Sequence, residues 1–279
     1  MNEFEFQKDA RLSRLFGLLK AAFNPPAGKA RIIAAIVLGV VCHTIFAVAV
    51  ISMIVAMWLG LSKSFGSVAW PYAFVTNALL LVQFPLAHSF LLTGLGSRLL
   101  IKLVPGPHGK TLATTTYAII ASVQLVLLFV FWTPSGIVWW KAEGVVLALI
   151  ATAYAASWLL LLKASFDAGA EVQSGALGWM SLMANIRPKF PDMPTLGVFR
   201  WIRQPIYVAF ALTLWTVPTW TPDQLSLAVS FTAYCLCAPR LKEARFLARY
   251  GDRFQKYRQR VPYALPRLVS SRKNDRKAP

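Results

Sequence analysis

The stretch Arg31–Gly60 reads RIIAAIVLGVVCHTIFAVAVISMIVAMWLG, and after Arg31 it contains no Lys, Arg, Asp or Glu. A bilayer core takes about 20 predominantly apolar residues in one helix, so this segment is long enough to cross it. Three further runs of the same kind follow at Pro71–Leu95, Thr111–Thr133 and Gly144–Leu162. Two shorter runs, Pro205–Val217 and Leu225–Ala238, flank Pro218, Thr219, Trp220, Thr221, Pro222 and Asp223 and read as a tight helical hairpin. The expected fold is an all-α integral membrane protein with about six transmembrane helices. The last two form a short C-terminal hairpin, and a cytosolic amphipathic helix follows.

Composition agrees with that reading. The chain is 57% hydrophobic and only 14% charged, too apolar for an ordinary soluble domain. Charge placement then orients it. Three loops fall on one side, Leu61–Trp70, Pro134–Glu143 and Pro218–Gln224, and they hold Lys63 and Lys141 and no Arg. The other 27 of the 29 Lys and Arg fall on the opposite side or at its helix ends. The positive-inside rule therefore puts both termini in the cytoplasm; the expected location is a bacterial-type inner membrane. Trp58, Trp70, Trp132, Trp139, Trp140 and Trp220 gather at the expected outer boundary, as an aromatic belt does.

The net charge of +18 points to anionic lipid headgroups beside the spans. No nucleic-acid module is visible, and the lipid bilayer is the expected partner. Cys42, Cys235 and Cys237 all fall within spans and form neither a disulfide framework nor a zinc spacing, so no metal is expected. No cleavable signal peptide is expected, because the first apolar run follows an arm rich in polar and basic groups.

Four regions result: an N-terminal amphipathic arm (1–30), a four-helix transmembrane region (31–163), a region carrying the chemistry (164–262) and a basic tail (263–279). The arm places Leu12, Leu15, Phe16, Leu19 and Phe23 at helical spacing, with Arg11, Arg14 and Lys20 between them. Asp9 is its expected start and Asn24-Pro25-Pro26 its stop. It reads as a helix lying on the membrane surface, with docking against the protein's own catalytic face as the alternative. Lys163–Gln204 reads as a long polar loop, a place where function often sits. The tail after Pro266 is expected to be disordered.

Two elements carry candidate chemistry. Thr195–Tyr207 reads TLGVFRWIRQPIY. Gly197 allows close backbone approach, Arg200 and Arg203 place fixed positive charge at the membrane boundary, and Pro205 opens an apolar helix. The second element is KEARFLARYGDRFQKYRQRVP, Lys242–Pro262. From Leu241, the residues Leu241, Ala244, Leu247, Tyr250, Phe254, Tyr257 and Val261 recur at spacings of three and four and make one helix face. A basic amphipathic helix on lipid is one reading. Glu243 does not suit it, since a carboxylate gains nothing beside anionic headgroups, and its partner is then Arg203, Arg200 or a ligand's amino group.

In combination and order, these elements resemble the membrane methyltransferases related to isoprenylcysteine carboxyl methyltransferase. In that family the corresponding motifs read roughly Gly-x-Tyr-x-x-x-Arg-His-Pro-x-Tyr and Glu-Glu-x-x-Leu-x-x-x-Phe-Gly-x-x-Tyr-x-x-Tyr. Upstream, Gln83–Ser89 (QFPLAHS), Thr116-Tyr117, Trp132-x-Pro134, and Phe166-Asp167 with Gln173 resemble one subgroup. That subgroup contains the bacterial methanethiol S-methyltransferases and the nitrite-reduction-associated membrane proteins. Two positions depart from the family: Gln204 stands where it has His, and Lys242 where it has the first Glu.

The resemblance implies that the two elements enclose S-adenosylmethionine (SAM). Gly197, Phe199, Arg200, Arg203, Gln204, Pro205, Tyr207, Glu243, Phe254 and Tyr257 are then the cofactor-binding residues. Arg203, Glu243 and Tyr207 become the catalytic ones. The implied activity is S-methylation of a small thiol, methanethiol, to dimethyl sulfide by direct transfer to the thiolate. A larger lipid-like or prenyl-thiol acceptor is the alternative within the class. The resemblance also allows a haem-binding membrane protein or isomerase, with His88 as axial ligand. His88 and His43 lie within spans, where ionisable groups are functional candidates, although helix packing is the competing role. His43 has no partner recognisable in the sequence, and His108 reads as a turn residue after Pro105-Gly106-Pro107. Oligomeric state is left open.

Overall fold

The structure is a computed structural model that describes residues 3–104 and 106–266, with side chains of the first helix described from residue 12. Pro105 of the turn before His108, and the tail from residue 267 on, lie outside the described residues. Among the described residues, ten α-helices run in order as α1 (Glu3–Phe23), α2 (Lys29–Trp58), α3 (Tyr72–Leu91), α4 (Gly94–Leu103), α5 (Gly109–Val130), α6 (Gly144–Gln173), α7 (Ala176–Met183), α8 (Pro205–Trp215), α9 (Pro222–Tyr250) and α10 (Asp252–Arg260). The all-α expectation holds among the described residues apart from one pair of two-residue strands, β1 (Trp140–Lys141) and β2 (Thr219–Trp220).

Four helices, α2, α3, α5 and α6, are long and apolar enough to cross a membrane. They correspond to the four long apolar runs. The shorter apolar helix α8 and the first half of α9 pack with them. The shared core contains Met57, Phe84, Leu128, Phe129, Tyr154, Leu214, Leu227 and Phe231. The outer faces of the long helices stay apolar and exposed, as at Ile51, Phe74, Leu79, Leu149 and Leu159. Such faces suit lipid rather than water.

One end of the bundle gathers the three loops expected on the outer side. Phe65 N donates to Val130 O (2.8 Å), Trp139 N to Trp220 O (2.9 Å) and Ala142 N to Pro218 O (2.8 Å). Thr221 Oγ1 donates to Gly60 O (2.5 Å) while it also caps α9 by accepting from Gln224 N. The carboxylate of Asp223 accepts from Ser135 N and Oγ (2.9 and 2.6 Å). These bonds satisfy backbone groups that would otherwise be stranded in an apolar setting.

The opposite end departs from the expected long loop. Helix α6 runs on to Gln173, with a break at Gly169 (φ 105°, ψ 85°). The next segment is the buried helix α7, held against α5. Thr115 Oγ1 donates to Gly175 O (2.7 Å) and accepts from Trp179 N (2.9 Å). Arg31 donates to the Leu182 and Met183 carbonyls that end α7. The physical reason is the sequence ALGWMSLM, which is too apolar to remain a solvated loop. His43, without a partner in the sequence reading, accepts from Trp179 Nε1 (3.1 Å).

Helix α1 starts at Glu3, earlier than Asp9. It docks on α7 through Leu18 and Ala22, and Arg14 pairs with the buried carboxylate of Glu171. One face of the arm therefore docks against the protein, at α7 and Glu171. Phe16 and Phe23 remain exposed on it.

Candidate functional site

Residues 195–207 and 242–263 meet at this same end of the bundle. The link begins in α6. Asp167 is buried, and its Oδ2 accepts from Val198 N (2.9 Å) and from Lys163. This ties α6 to the short 3-10 turn Gly197–Arg200. Gly197 has φ +60°, and a Cβ there would overlap the Asp167 carboxylate. Close approach is the reason for glycine at this position.

Beyond the turn, the backbone pairs with the chain's far segment. Arg203 N donates to Pro262 O (2.9 Å) and Gln204 N to Tyr263 O (3.1 Å). Pro205 then opens α8, its missing N–H falling where a helix start has no acceptor.

Arg203 is fully engaged. Its Nε donates to Glu243 Oε1 (2.9 Å), and Nη1 donates to the Arg258 and Val261 carbonyls (3.0 and 2.6 Å) at the C-terminal end of α10. A cation there also complements the helix dipole. The Arg203–Glu243 pairing that the sequence left open is the one the structure holds. Gln204 is buried and completes the network: its Nε2 donates to Glu243 Oε1 (2.8 Å), and its Oε1 accepts from Lys242 Nζ (3.3 Å). The amide thus serves a carboxylate and an ammonium at once, which uses both of its ends.

The Lys242 ammonium lies over three aromatic rings: Phe199 (5.5 Å to the centroid), Tyr207 (5.9 Å) and Phe246 (5.5 Å). Ring faces attract cations, so these rings form a cation site. Burial holds the Lys242 ammonium down to about 8, against the pull of neighbouring Glu243. Phe254 backs the cage, its ring 5.9 Å from Phe246. Tyr257 Oη donates to Phe199 O (2.7 Å) and locks that ring's backbone, and burial raises its hydroxyl's pKa.

The structure thus gathers Gly197, Phe199, Arg203, Gln204, Pro205, Tyr207, Glu243, Phe254 and Tyr257 into one site. Arg200 lies on the same turn. Gln173 stands exposed at the last position of α6. Sequence reasoning missed Lys242 and Phe246 as members. The four-residue spacing between them places both on one helix face, a signal present in the sequence. It also missed Asp167 as the residue that seats Gly197.

The arrangement can hold an organic cation against aromatic faces, beside a paired carboxylate, at one end of an apolar bundle. Among known proteins, the chain is similar to methanethiol S-methyltransferases. The chain is 27% identical over 208 residues to methanethiol S-methyltransferase 2 of Bradyrhizobium diazoefficiens, covering 74% of this chain and 79% of that protein. It is 26% identical over 201 residues to the methanethiol S-methyltransferase of Pseudomonas deceptionensis, covering 72% and 75%. It is 27% identical over 197 residues to that of Mycobacterium tuberculosis, covering 70% and 78%. No protein-family model and no solved structure matches the chain.

Proposed function

We propose that this chain is a membrane methyltransferase that S-methylates methanethiol to dimethyl sulfide with SAM as methyl donor. The observation that carries this reading is the cage of Phe199, Tyr207 and Phe246 around one positive charge. The Lys242 ammonium in it stands in for the sulfonium of the donor. The names of the relatives supply the reaction class and the acceptor.

The residues present fit SAM. The three rings of the cage would face its sulfonium, with Phe254 behind them. Arg203 would act through Glu243, holding that carboxylate in place. When bound, SAM supplies an electrophilic methyl group, and a new C–S bond to the thiolate forms as the donor's C–S bond breaks, leaving two neutral thioethers. The protein's part is to align the partners and to keep the site dry, which favours loss of both charges at the transition state. No covalent protein intermediate is required, since a thiolate is itself a strong nucleophile.

The membrane reading extends the same way. Helix α8 and the apolar half of α9 complete six spans as a short hairpin, with the site on the cytoplasmic face of an inner membrane and both termini inside. The clustering of Lys and Arg at that end supports it. SAM, which is charged, would reach the site from the cytoplasm. The chain then divides as arm, four-helix region, SAM-binding region 164–262 and basic tail.

Calorimetric titration of the purified protein with SAM, followed by methanethiol addition and headspace detection of dimethyl sulfide, tests the proposal. Saturable binding with dimethyl sulfide release is expected. Absence of both would overturn it.

A further inference from the structure

A second polar cluster lies deeper in the bundle and is not part of the cation site. Its centre is His88, near the end of α3. Tyr117 of α5 lies with its hydroxyl 2.7 Å from His88 Nε2 and 3.5 Å from the His88 carbonyl oxygen. Phe84 lies against the imidazole at 4.8 Å, and the ring of Tyr234 from α9 stands edge-on at 6.4 Å. Phe231 closes the apolar wall, 5.9 Å from Phe84. His88 Nδ1 is buried and has no hydrogen-bond partner among the described residues.

Tyr117 O–H reaches both His88 Nε2 (2.7 Å) and the His88 carbonyl (3.5 Å), so either ring nitrogen can carry the proton. With the proton on Nε2, Nε2–H donates to the Tyr117 oxygen, Tyr117 O–H turns to the carbonyl, and Nδ1 is left as a bare lone pair in an apolar surround. A buried acceptor without a partner is costly, and such an atom is a place for a ligand's proton.

The cluster meets α8, the helix that carries Tyr207 of the cage, where the Phe231 ring lies 6.1 Å from that of Phe210. Arg245 of α9 acts on His88, Tyr117, Tyr207 and Tyr234 together. Ser89 on α3 faces the Tyr234 hydroxyl. Cys235 of α9 is a further titratable group beside Tyr207 and Tyr234.

We infer that the His88–Tyr117–Tyr234 cluster between α3, α5 and α9 is the acceptor site, which binds a small neutral thiol and takes its proton on His88 Nδ1. The inference rests on the methyltransferase reading. The aromatic wall of Phe84 and Phe231 suits a soft sulfur and a methyl group, and it leaves a charged or bulky acceptor unfavoured. In the step itself the S–H bond breaks, an N–H bond forms at Nδ1, and the electron pair stays on sulfur. The thiolate takes the methyl group as the donor's sulfonium C–S bond breaks. The imidazolium returns its proton to solvent between turnovers. Tyr117 is a positioning residue, since it holds Nε2 without touching the thiol.

Two measurements test this. The chain has three histidines, so imidazole nitrogen NMR of the solubilised full chain is readily assigned with His88→Gln. Titration with methanethiol alone should move the His88 signals and leave those of His43 and His108 in place. In turnover, His88→Ala should lower kcat/KM for methanethiol by about a hundredfold or more, with SAM affinity unchanged and partial rescue by added imidazole. Tyr117→Phe should lose kcat by a smaller factor and shift the pH profile, a change that a packing role alone would not produce. Unmoved His88 signals, or wild-type turnover in both variants, would overturn the inference while leaving the methyltransferase reading intact. Methanethiol-dependent His88 shifts without any dimethyl sulfide would leave the thiol site standing and sink the methyltransferase reading.

Discussion

Replacing Lys242 by Met makes the sharpest test of the cation site. In the proposed complex the Lys242 ammonium and the donor's sulfonium claim the same three rings. Two routes admit the donor. If Lys242 stays charged and moves aside by about 5.5 Å, an effective dielectric of about 20 gives a repulsion of about 3 kcal/mol. If it sheds its proton instead, a group held at about 8 costs about 1.4 kcal/mol at pH 7. Deprotonation is the cheaper route. SAM affinity in the parent protein should therefore rise about tenfold between pH 7 and pH 9 and then level off. Lys242→Met should bind about tenfold more tightly than the parent at pH 7 and equally at pH 9. The donor's own amino group titrates in the same range, so the quantity to plot is the ratio of the two dissociation constants. Isothermal titration from pH 6.5 to 9.5 measures it. A ratio that stays flat with pH would refute the shared-cage argument.

Two other predictions follow from the surrounding network. Arg203 and Glu243 are both largely buried, with side chains 10% and 14% exposed, so Arg203→Ala or Glu243→Ala alone should destabilise the protein by about 3–5 kcal/mol. The double variant should lose clearly less than the sum in thermal unfolding, and strict additivity would show that the two do not act as a pair. Gln204→His, which can still donate to Glu243, should keep activity, whereas Gln204→Leu removes one hydrogen-bond partner each from Glu243 and Lys242 and should lower it. Normal turnover by the Leu variant would deny position 204 any polar role.

Much of the architecture was legible because spanning a membrane leaves a coarse mark. Uninterrupted apolar runs fix α2, α3, α5 and α6, and the paucity of Lys and Arg in the loops between them marks the end where Phe65, Trp139 and Thr221 meet. The segment 163–204 was less legible. Its charges and prolines read as loop, yet α6 continues to Gln173 and α7 buries itself beneath Thr115. Burial there depends on partners remote in sequence, such as Arg31, His43 and Thr115. The two halves of the candidate site were legible as motifs. Their joint geometry was not. That Arg203 turns to Glu243 and the end of α10, and that Lys242 turns inward among rings, depends on side-chain direction. Periodicity fixes a helix face and stops short of that. The unpartnered His88 Nδ1 was equally hidden, since its meaning lies in Tyr117 already occupying the other nitrogen.

On the proposed function, a methyl group passes from SAM to a small thiol on this chain. Turnover with SAM carrying a trideuterated methyl group, unlabelled methanethiol and purified protein, followed by headspace mass spectrometry, tests it most directly. The expected product is dimethyl sulfide with one fully deuterated methyl group, formed in proportion to enzyme and lost on heat inactivation. Unlabelled product, or no volatile product from protein that binds SAM, would contradict it.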